Sequence, residues 1–586
     1  MGATAIAVAA GLLALAWHVF AVDGWSAWEG MSFLCLLLFV PWLGLSAATA
    51  LAGILVRLLA PDPAALVLPG LRGPPPDVDV AALRLVVAVC VRLEDMDTVL
   101  PPLARLLTAL RAAVDEQTAF SSTPHVEPDP RATTGIGDVA LGILSDTPDG
   151  PQAVAEAAAV TAFTAGYPDG VVLYRRRSRN DGYKAGNVMD FLDRNAARFD
   201  VMLLLDADSR MSSSAVRRML AVMAADPALA ILQPTFAGVG ARTLLARIAT
   251  VGTRHGARIW ATGQAWWQGP CGPFWGHNAL MRIAPFRAHC RLDPLPDGAA
   301  ILSHDHVEAA RLHAAGWAVR VWPDDLGSGE RHPPDLIALF RRDIRWAEGN
   351  LQYRHLLRRP ELGRIGRFQM LQAILHYALA PLFFALLPLA AINTATGHGA
   401  GTPRGALLAL VGMGWGTLLL PKLAGYAESL LRQRARGRRL TLLRRMGVEA
   451  LLAMLIDPIA MLERSAAVLR LVTGYRGGWT PQAREARGIS WSLAARRFGA
   501  HTAIGLVLLG GFAAAGLFPL LVSLPFTAGL VLAIPLCVLT GRPVDVRRSA
   551  IWRGTNRQGA GGRRAISEPA DLSGVSSPRV TSAMKT

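Results

Sequence analysis

The chain is poor in cysteine, and the five it has (Cys35, Cys90, Cys271, Cys290 and Cys537) are scattered, with no CxxC pair. That pattern indicates neither a disulfide framework nor a zinc site. Charge is thin too, at 18% of 586 residues, and acids are outnumbered, 43 against 60 lysines and arginines. A net charge of +17 raises the question of nucleic acid. The arginines gather beside apolar segments, however, as cytoplasmic loops do under the positive-inside rule, so no nucleic-acid partner is expected. The first apolar stretch lacks a basic n-region, which argues against a cleaved signal peptide. No internal repeat is evident.

What abounds is apolar sequence, 52% of a chain too long for one ordinary domain. Residues 3–22 and 31–58 are each long enough to cross a bilayer and form an N-terminal pair within 1–60. The turn from Asp23 to Glu29 has no Lys or Arg, whereas Arg57 closes the second stretch. The turn is therefore expected outside, and the N-terminus and the chain after residue 58 inside. Residues 61–80, rich in Pro and Asp, read as a linker. Residues 81–365 read as a soluble α/β domain. Strands are expected at Leu83–Val91, Val139–Leu144, Val171–Tyr174 and Val201–Leu205, alternating with helices at Pro101–Glu116, Gln152–Thr164 and Ala185–Ala197. Such alternation implies a mostly parallel sheet covered by helices, with ligands at the carboxyl ends of its strands. Apolar spans resume as one pair within 366–425 (369–393 and 405–424) and another within 501–541 (502–521 and 524–541). Between them, 426–500 reads as basic cytoplasmic loops, Arg432–Arg445 and Arg476–Arg497, around an apolar segment, 447–473. Asp457-Pro458 and Glu463-Arg464 are expensive in lipid, so that segment is expected to be interfacial or re-entrant. The tail, 542–586, reads as a disordered cytoplasmic extension. Six spans and a large cytoplasmic insert follow.

The insert carries a series of acidic strand tips. Val201 to Leu205 runs into Asp206-Ala207-Asp208, two carboxylates at i and i+2 that leave a strand on the same side. Buried acids need a cation, and a divalent ion holding a diphosphate supplies one. Glu94 and Asp95 follow the first strand, and Asp146 follows the second, where it reads either as part of this site or as a helix N-cap. Lys184-Ala185-Gly186-Asn187 opens a helix, where a Lys and a close-approach Gly suit an anionic phosphate; a solvated helix start has the same look. Ser303-His304-Asp305-His306-Val307-Glu308 mixes His with carboxylates, but not at an HExxH spacing. One carboxylate acting as a general base is the sharper reading. Arg341-Arg342-Asp343-Ile344-Arg345-Trp346 is either a solvated helix face or a diphosphate clamp beside an aromatic platform for a sugar. Trp260, Trp266, Trp267 and Trp275 read as packing or as the lining of a sugar path.

In that order, Asp146, Lys184-Ala185-Gly186-Asn187, Asp206-Ala207-Asp208, Ser303-His304-Asp305 and Arg345-Trp346 resemble the processive family 2 glycosyltransferases, which include cellulose and hyaluronan synthases. The finer resemblance is to the glucans biosynthesis glucosyltransferase H family. It is carried by Tyr174-Arg175-Arg176-Arg177, Trp275-Gly276-His277-Asn278-Ala279, residues 303–310 and residues 341–351, and it covers roughly 30–540. The Gln of the QxxRW motif is Arg342 here, and the Thr-Glu of TED is Ser303-His304; both look like the glucan H subfamily and put a cellulose product in doubt. The chain also looks shorter than the longest members, without their long N-terminal extension.

The resemblance implies a GT-A (Rossmann-like) cytoplasmic catalytic domain inserted in an α-helical multi-pass bundle of the inner membrane. It implies inverting transfer of glucose from UDP-glucose to a growing β-1,2-glucan, with Mg²⁺ or Mn²⁺ on Asp206 and Asp208. Asp305 would be the base. Glu94, Asp146, Lys184, Asp206 and Arg345 would hold the donor, and Trp346, Trp275 and His277 the acceptor. The bilayer, a periplasmic glucan-modifying protein and acyl carrier protein are the further partners it suggests. Two alternatives are another processive β-glycan synthase and a transporter with a regulatory insert. The near absence of charge from the spans disfavours the transporter, and the short polar tail leaves no room for the cyclic-dinucleotide-binding barrel of cellulose synthases.

Overall fold

The computed structural model describes residues 1–22, 24–72, 83–112, 138–474 and 487–544. The expected helix end at 113–116, the last part of the linker (73–80), the segment 475–486 and the tail beyond 544 lie outside these residues. Helices α1 (Gly2–Phe20) and α2 (Ala27–Leu59) come first, then the short α3 (Pro63–Val67). Ser26 and Glu29 form a capping box that starts α2. The soluble part runs β1 (Arg84–Val91), α4 (Met96–Arg111), β2 (Asp138–Ser145), α5 (Pro151–Thr164), β3 (Val172–Arg176), α6 (Tyr183–Asn195), β4 (Val201–Asp206), α7 (Ser213–Ala225) and β5 (Leu229–Pro234). It continues through β6 (Ala237–Gly238), α8 (Leu244–Gln268), β7 (Ala279–Arg282), α9 (Ile283–His289), α10 (Asp305–Ala314), β8 (Ala318–Trp322), β9 (Gly329–Glu330) and α11 (Leu336–Gln352). The rest is helical: α12 (Gly363–Ala378), α13 (Ala380–Ala395), α14 (Arg404–Arg432), α15 (Arg436–Val472), α16 (Trp491–Ala514), α17 (Leu517–Val531) and α18 (Ala533–Thr540).

The main sheet has the order β3-β2-β1-β4-β7-β5-β8. All pairings are parallel except those of β7, which runs against both β4 and β5. The sheet is therefore mostly parallel, as expected, and mixed by the single reversed strand β7. The cause is local: residues 271–278 lie at the carboxyl edge after α8, so β7 enters the sheet from that edge and must descend. Alternate residues of β1 feed opposite cores, as a strand buried on both faces requires. Leu85, Val87 and Val89 join α4 and α7 residues on one side, while Val86 and Ala88 meet Phe191, Leu192 and Phe286 on the other.

Among the described residues, five helices are long and apolar enough to cross a membrane, or six if the bent pair α17 and α18 counts as one span. The helices are longer than the sequence reading allowed. The basic stretch Arg432–Arg445 is not a loop: α14 runs through Arg432, and α15 is a continuous 37-residue helix from Arg436. The first expected C-terminal span, 369–393, lies within Pro360–Ala395, one of these five, which comprises α12 and α13.

Helix α8 is the seam between the two parts. It packs against α2, α14 and α15 while its far end leads into the sheet edge. The α2–α8 crossing is tight because Gly53 faces the carbonyl of Ile259 and Gly263 faces the carbonyl of Thr49; a Cβ at either glycine would overlap the facing oxygen. Gly263→Ala is therefore expected to lower the midpoint of thermal unfolding in detergent, by the equivalent of roughly 1–3 kcal/mol. Gly412→Ala, at a position of α14 with open space, is expected to leave the midpoint unchanged. Size-exclusion survival after heating measures both.

Candidate active site

The carboxyl ends of β2, β1 and β4 lie side by side, with Val91 beside Ser145 and Cys90 beside Asp206. The three following loops therefore open on one edge. The β1 loop, Arg92–Asp95, carries Glu94, which is half-buried. Leu93 holds this loop in a left-handed turn at φ +57°, and its N–H donates to Thr147 Oγ1 at 2.9 Å. Thr147 in turn donates to Glu156 at 2.6 Å, which also accepts from the Tyr174 hydroxyl at 3.0 Å. The first two loops are thereby tied to each other. Asp146 does not cap α5, whose N-cap is Gly150 with no side-chain hydrogen bond. Its carboxylate instead accepts from Arg177 at 2.7 and 2.9 Å, a nearly enclosed pair.

Lys184, at the start of α6, donates to Asp206 and, at 2.6 Å, to the carbonyl of Gly276. Burial pulls its pKa down, but Asp206, Cys90 and Asp305 outweigh that and leave it raised, so the ammonium stays charged. A phosphate would share this ammonium with Asp206. The close-approach role of Gly186 is corrected here: a Cβ at Gly186 would overlap the carbonyl of Asp181, so the glycine serves the turn before α6. Cys90 sits under the same cluster, and burial pushes its thiol up to about 12, so it is an inert core group.

Gly276 and Asn278 take φ of +80° and +50°, a left-handed turn that aims the Gly276 carbonyl at Lys184. The same turn brings residue 276 against Asp305 at the start of α10: a Cβ built on Gly276 would stand 3.6 Å from that of Asp305. Burial raises the Asp305 pKa, but His306, with Nδ1 3.7 Å from its carboxylate, and His304 reverse this and hold it below the ordinary value. Asp305 is thus an anion at neutral pH. His304 is turned away, bonded to the buried Glu308 at 2.8 Å. Burial lowers its pKa, and the Glu308 carboxylate more than restores it.

Asp208 lies just beyond β4 and is buried. Its neighbour is a residue the sequence reading missed, Glu330 of β9. Burial raises the Glu330 pKa; His277 at 3.6 Å and Arg342 at 3.7 Å oppose this, and Asp208 and Asp206 add to it. Asp206, Asp208 and Glu330 therefore form a patch of negative charge under one roof. That excess fits a cation, and hard carboxylate oxygens suit Mg²⁺ or Mn²⁺. Among the described residues, no three acidic, His or Cys side chains are arranged to hold a metal alone. An ion on Asp206 and Asp208 would take its other oxygens from a diphosphate and water.

Helix α11 closes the site. Arg342 lies over the ring of Trp346, 4.7 Å from its centroid, and Trp346 is 49% exposed. Both line a cleft of about 190 Å³ with Phe236, His332 and Leu245. Arg345 is half-buried on the same helix. Trp275 packs against the core beside β1 and β4, whereas Trp266 is 48% exposed on α8. Asp343 faces away from the cleft and accepts from Arg464 of α15 at 2.6 and 3.2 Å and from the Tyr377 hydroxyl of α12 at 3.3 Å. The structure thus assembles Asp146, Lys184, Asp206, Asp208, Asp305 and His277 along one edge, with Arg342 and Trp346 on the helix beside it. Arg177, Glu330 and Arg464 had no distinctive spacing in the sequence; for Arg177, its place in Tyr174-Arg175-Arg176-Arg177 was the available signal.

A family model described as Glycosyl transferase family group 2 matches residues 201–420. A glucans biosynthesis glucosyltransferase H of Xanthomonas oryzae pv. oryzae is 32% identical over 94% of this chain and 85% of its own length. The one from Xylella fastidiosa is 35% identical over 63% of this chain, a match that spans 61% of the relative's length. Among solved structures, a Pyrobaculum calidifontis mannosyltransferase is similar with a TM-score of 0.37 at 16% identity, covering 66% of this chain and 99% of that one.

Removing one partner of a largely buried pair strands the other. Arg464→Leu is expected to destabilise the protein by roughly 1–3 kcal/mol, because it removes the charged partner of the buried Asp343. Asp343→Asn combined with Arg464→Leu is expected to recover much of that loss. Thermal midpoints of the three variants in detergent close the cycle.

Proposed function

The chain belongs to the glucans biosynthesis glucosyltransferase H family, and from that premise we propose that it is an inner-membrane glucosyltransferase. In this reading it transfers glucose from UDP-glucose, with inversion, to the end of a linear β-1,2-glucan that leaves through the helical bundle as it grows. The observation that carries the reading is the shared edge: an enclosed Asp305 anion stands across the Gly276 turn from the Lys184–Asp206 pair.

The donor diphosphate lies over Asp206 and Asp208, with Lys184 at its side and Arg345 adding positive charge from α11. Glu94 and Asp146 take the nucleoside end, Asp146 being preset by Arg177. The acceptor sugar stacks on Trp346, whose face is fixed by Arg342, with Trp275 and His277 flanking it. The 190 Å³ cleft beside Trp346 has room for little more than one sugar unit. Asp305 takes the proton from the attacking hydroxyl, which then displaces UDP from the opposite face. One base on one side of the sugar means a single displacement, so an α-linked donor yields a β-linked product. No second carboxylate is needed as a nucleophile, in contrast to a retaining glycosidase. A divalent cation, when bound, neutralises charge on the departing diphosphate. A cytoplasmic sheet is supported by the arginines at the inward ends of the spans, Arg57 and those of 432–445.

Asp305→Asn is expected to lower glucose transfer from UDP-glucose by about 10²–10⁴-fold while UDP-glucose binding stays within about threefold. Retained turnover in vesicles would remove Asp305 from the base role. Asp208→Asn is expected to raise the Mn²⁺ concentration needed for half-maximal transfer by about tenfold or more. Linkage analysis of the polymer made by the purified protein tests the product: glucose joined otherwise than β-1,2 would refute that assignment.

A further inference from the structure

The corner between α14 and α15 concentrates positive charge. From Leu431 to Val448 there are seven arginines and not one acid. The bordering acids are already engaged: Glu428 binds Arg57 at 2.9 Å and Arg432 at 2.7 Å, and Glu449 binds Lys422 at 2.7 Å and the Tyr426 hydroxyl. Arg436, Arg438 and Arg439 occupy the first turn of α15, the end where the helix dipole is itself positive. Cations there are disfavoured by the helix, so a compensating anion is called for. Arg436 and Arg439 stand at the mouth of a groove of about 570 Å³ whose remaining walls are mostly leucine: Leu430, Leu440 and Leu443. Leu431, Leu440 and Leu443 are at least half exposed. The groove lies at the end of α14, a helix long and apolar enough to cross a bilayer, so it sits where headgroups meet hydrocarbon.

We propose that this corner is a binding site for an anionic phospholipid, with the headgroup phosphate on Arg436 and Arg439 and an acyl chain along Leu430, Leu440 and Leu443. The pairing is complementary at both ends. Guanidinium forks match phosphate oxygens, and exposed leucines beside them match hydrocarbon; a soluble anion would use the arginines and leave the leucines wet. Neither Arg436 nor Arg439 lies in the catalytic cleft, so the site is separate from sugar transfer and stands independently of that reading.

The test uses the full-length protein in detergent, exchanged into mixed micelles holding equal phosphatidylglycerol and phosphatidylcholine, with retained lipid counted after gel filtration. The expected result is retention of phosphatidylglycerol over phosphatidylcholine that falls about tenfold or more in Arg436→Gln/Arg439→Gln. It is also expected to weaken in wild-type protein as salt rises and screens the pair. Arg194→Gln/Arg287→Gln, which removes equal charge from exposed helices of the soluble part, leaves retention unchanged. Equal retention of the two lipids, an equal loss in the control variant, or displacement of the lipid by inorganic phosphate at matched concentration would each overturn the proposal. Should the groove variant elute as aggregate, the salt titration of the wild-type protein still decides.

Discussion

The half-buried ammonium of Lys184 is the contact on which the site depends. Three loops arrive at the carboxyl edge of the sheet carrying Glu94, Asp146, Asp206 and Asp208, and like charges brought together repel and lose their water. Lys184 meets this by binding Asp206 and the Gly276 carbonyl at once. It therefore does two things: it gives Asp206 a cationic partner, and it pins the left-handed turn that sets Asp305 across from the acidic pair. Arg177 does the first of these for Asp146. At the other end of the cluster, burial and the like charge of Asp208 and Asp206 raise Glu330, against the pull of His277 and Arg342.

The parts of this arrangement written in local pattern were legible. The apolar run into Asp206-Ala207-Asp208 marked a strand and its tip, and the order of short motifs marked the edge that would gather them. The misreadings trace to long-range causes. β7 looks like any buried strand, because its direction is set by where α8 delivers the chain, not by its own four residues. The basic stretch Arg432–Arg445 was taken as loop because charge suggests solvent; arginine is a good helix former, and α14 and α15 run through most of it. Glu330 sits in a two-residue strand that pairs with β6, too short to carry periodicity. Its contacts with His277 and Arg342 join segments more than fifty and ten residues away. The place of Gly186 was legible as a close approach, but the approaching atom is a carbonyl of its own turn.

The link between sheet and bilayer was the least visible feature, since it consists of pairs between elements far apart in the chain. Arg57 closes α2 with a side chain only 4% exposed, bonded to Glu428 of α14 and 3.7 Å from Asp324 beyond β8. Arg258 of α8 binds the same Asp324. On the other side, Asp343 ties α11 to Arg464 and Tyr377. The ionisable residues 457–464 that made α15 improbable as a simple span thus have a use: Arg464 is the anchor point for the helix that bears Arg342, Arg345 and Trp346.

That anchoring bears on how a polymerising site stays in register. Trp346 is half exposed and held by one cation–π contact, so its position is only as fixed as α11 itself. Asp343 lies one residue from Arg342 and three from Trp346, and its partners belong to α15 and α12, not to the sheet. The aromatic platform is therefore referenced to the helical part, while Asp206, Asp208 and Asp305 are referenced to the sheet edge. A rigid seam between the two frames is then required for the donor and acceptor sides to meet. The α2–α8 crossing, with two glycines against two carbonyls, supplies it: contacts that close admit no sliding without loss of packing on both sides.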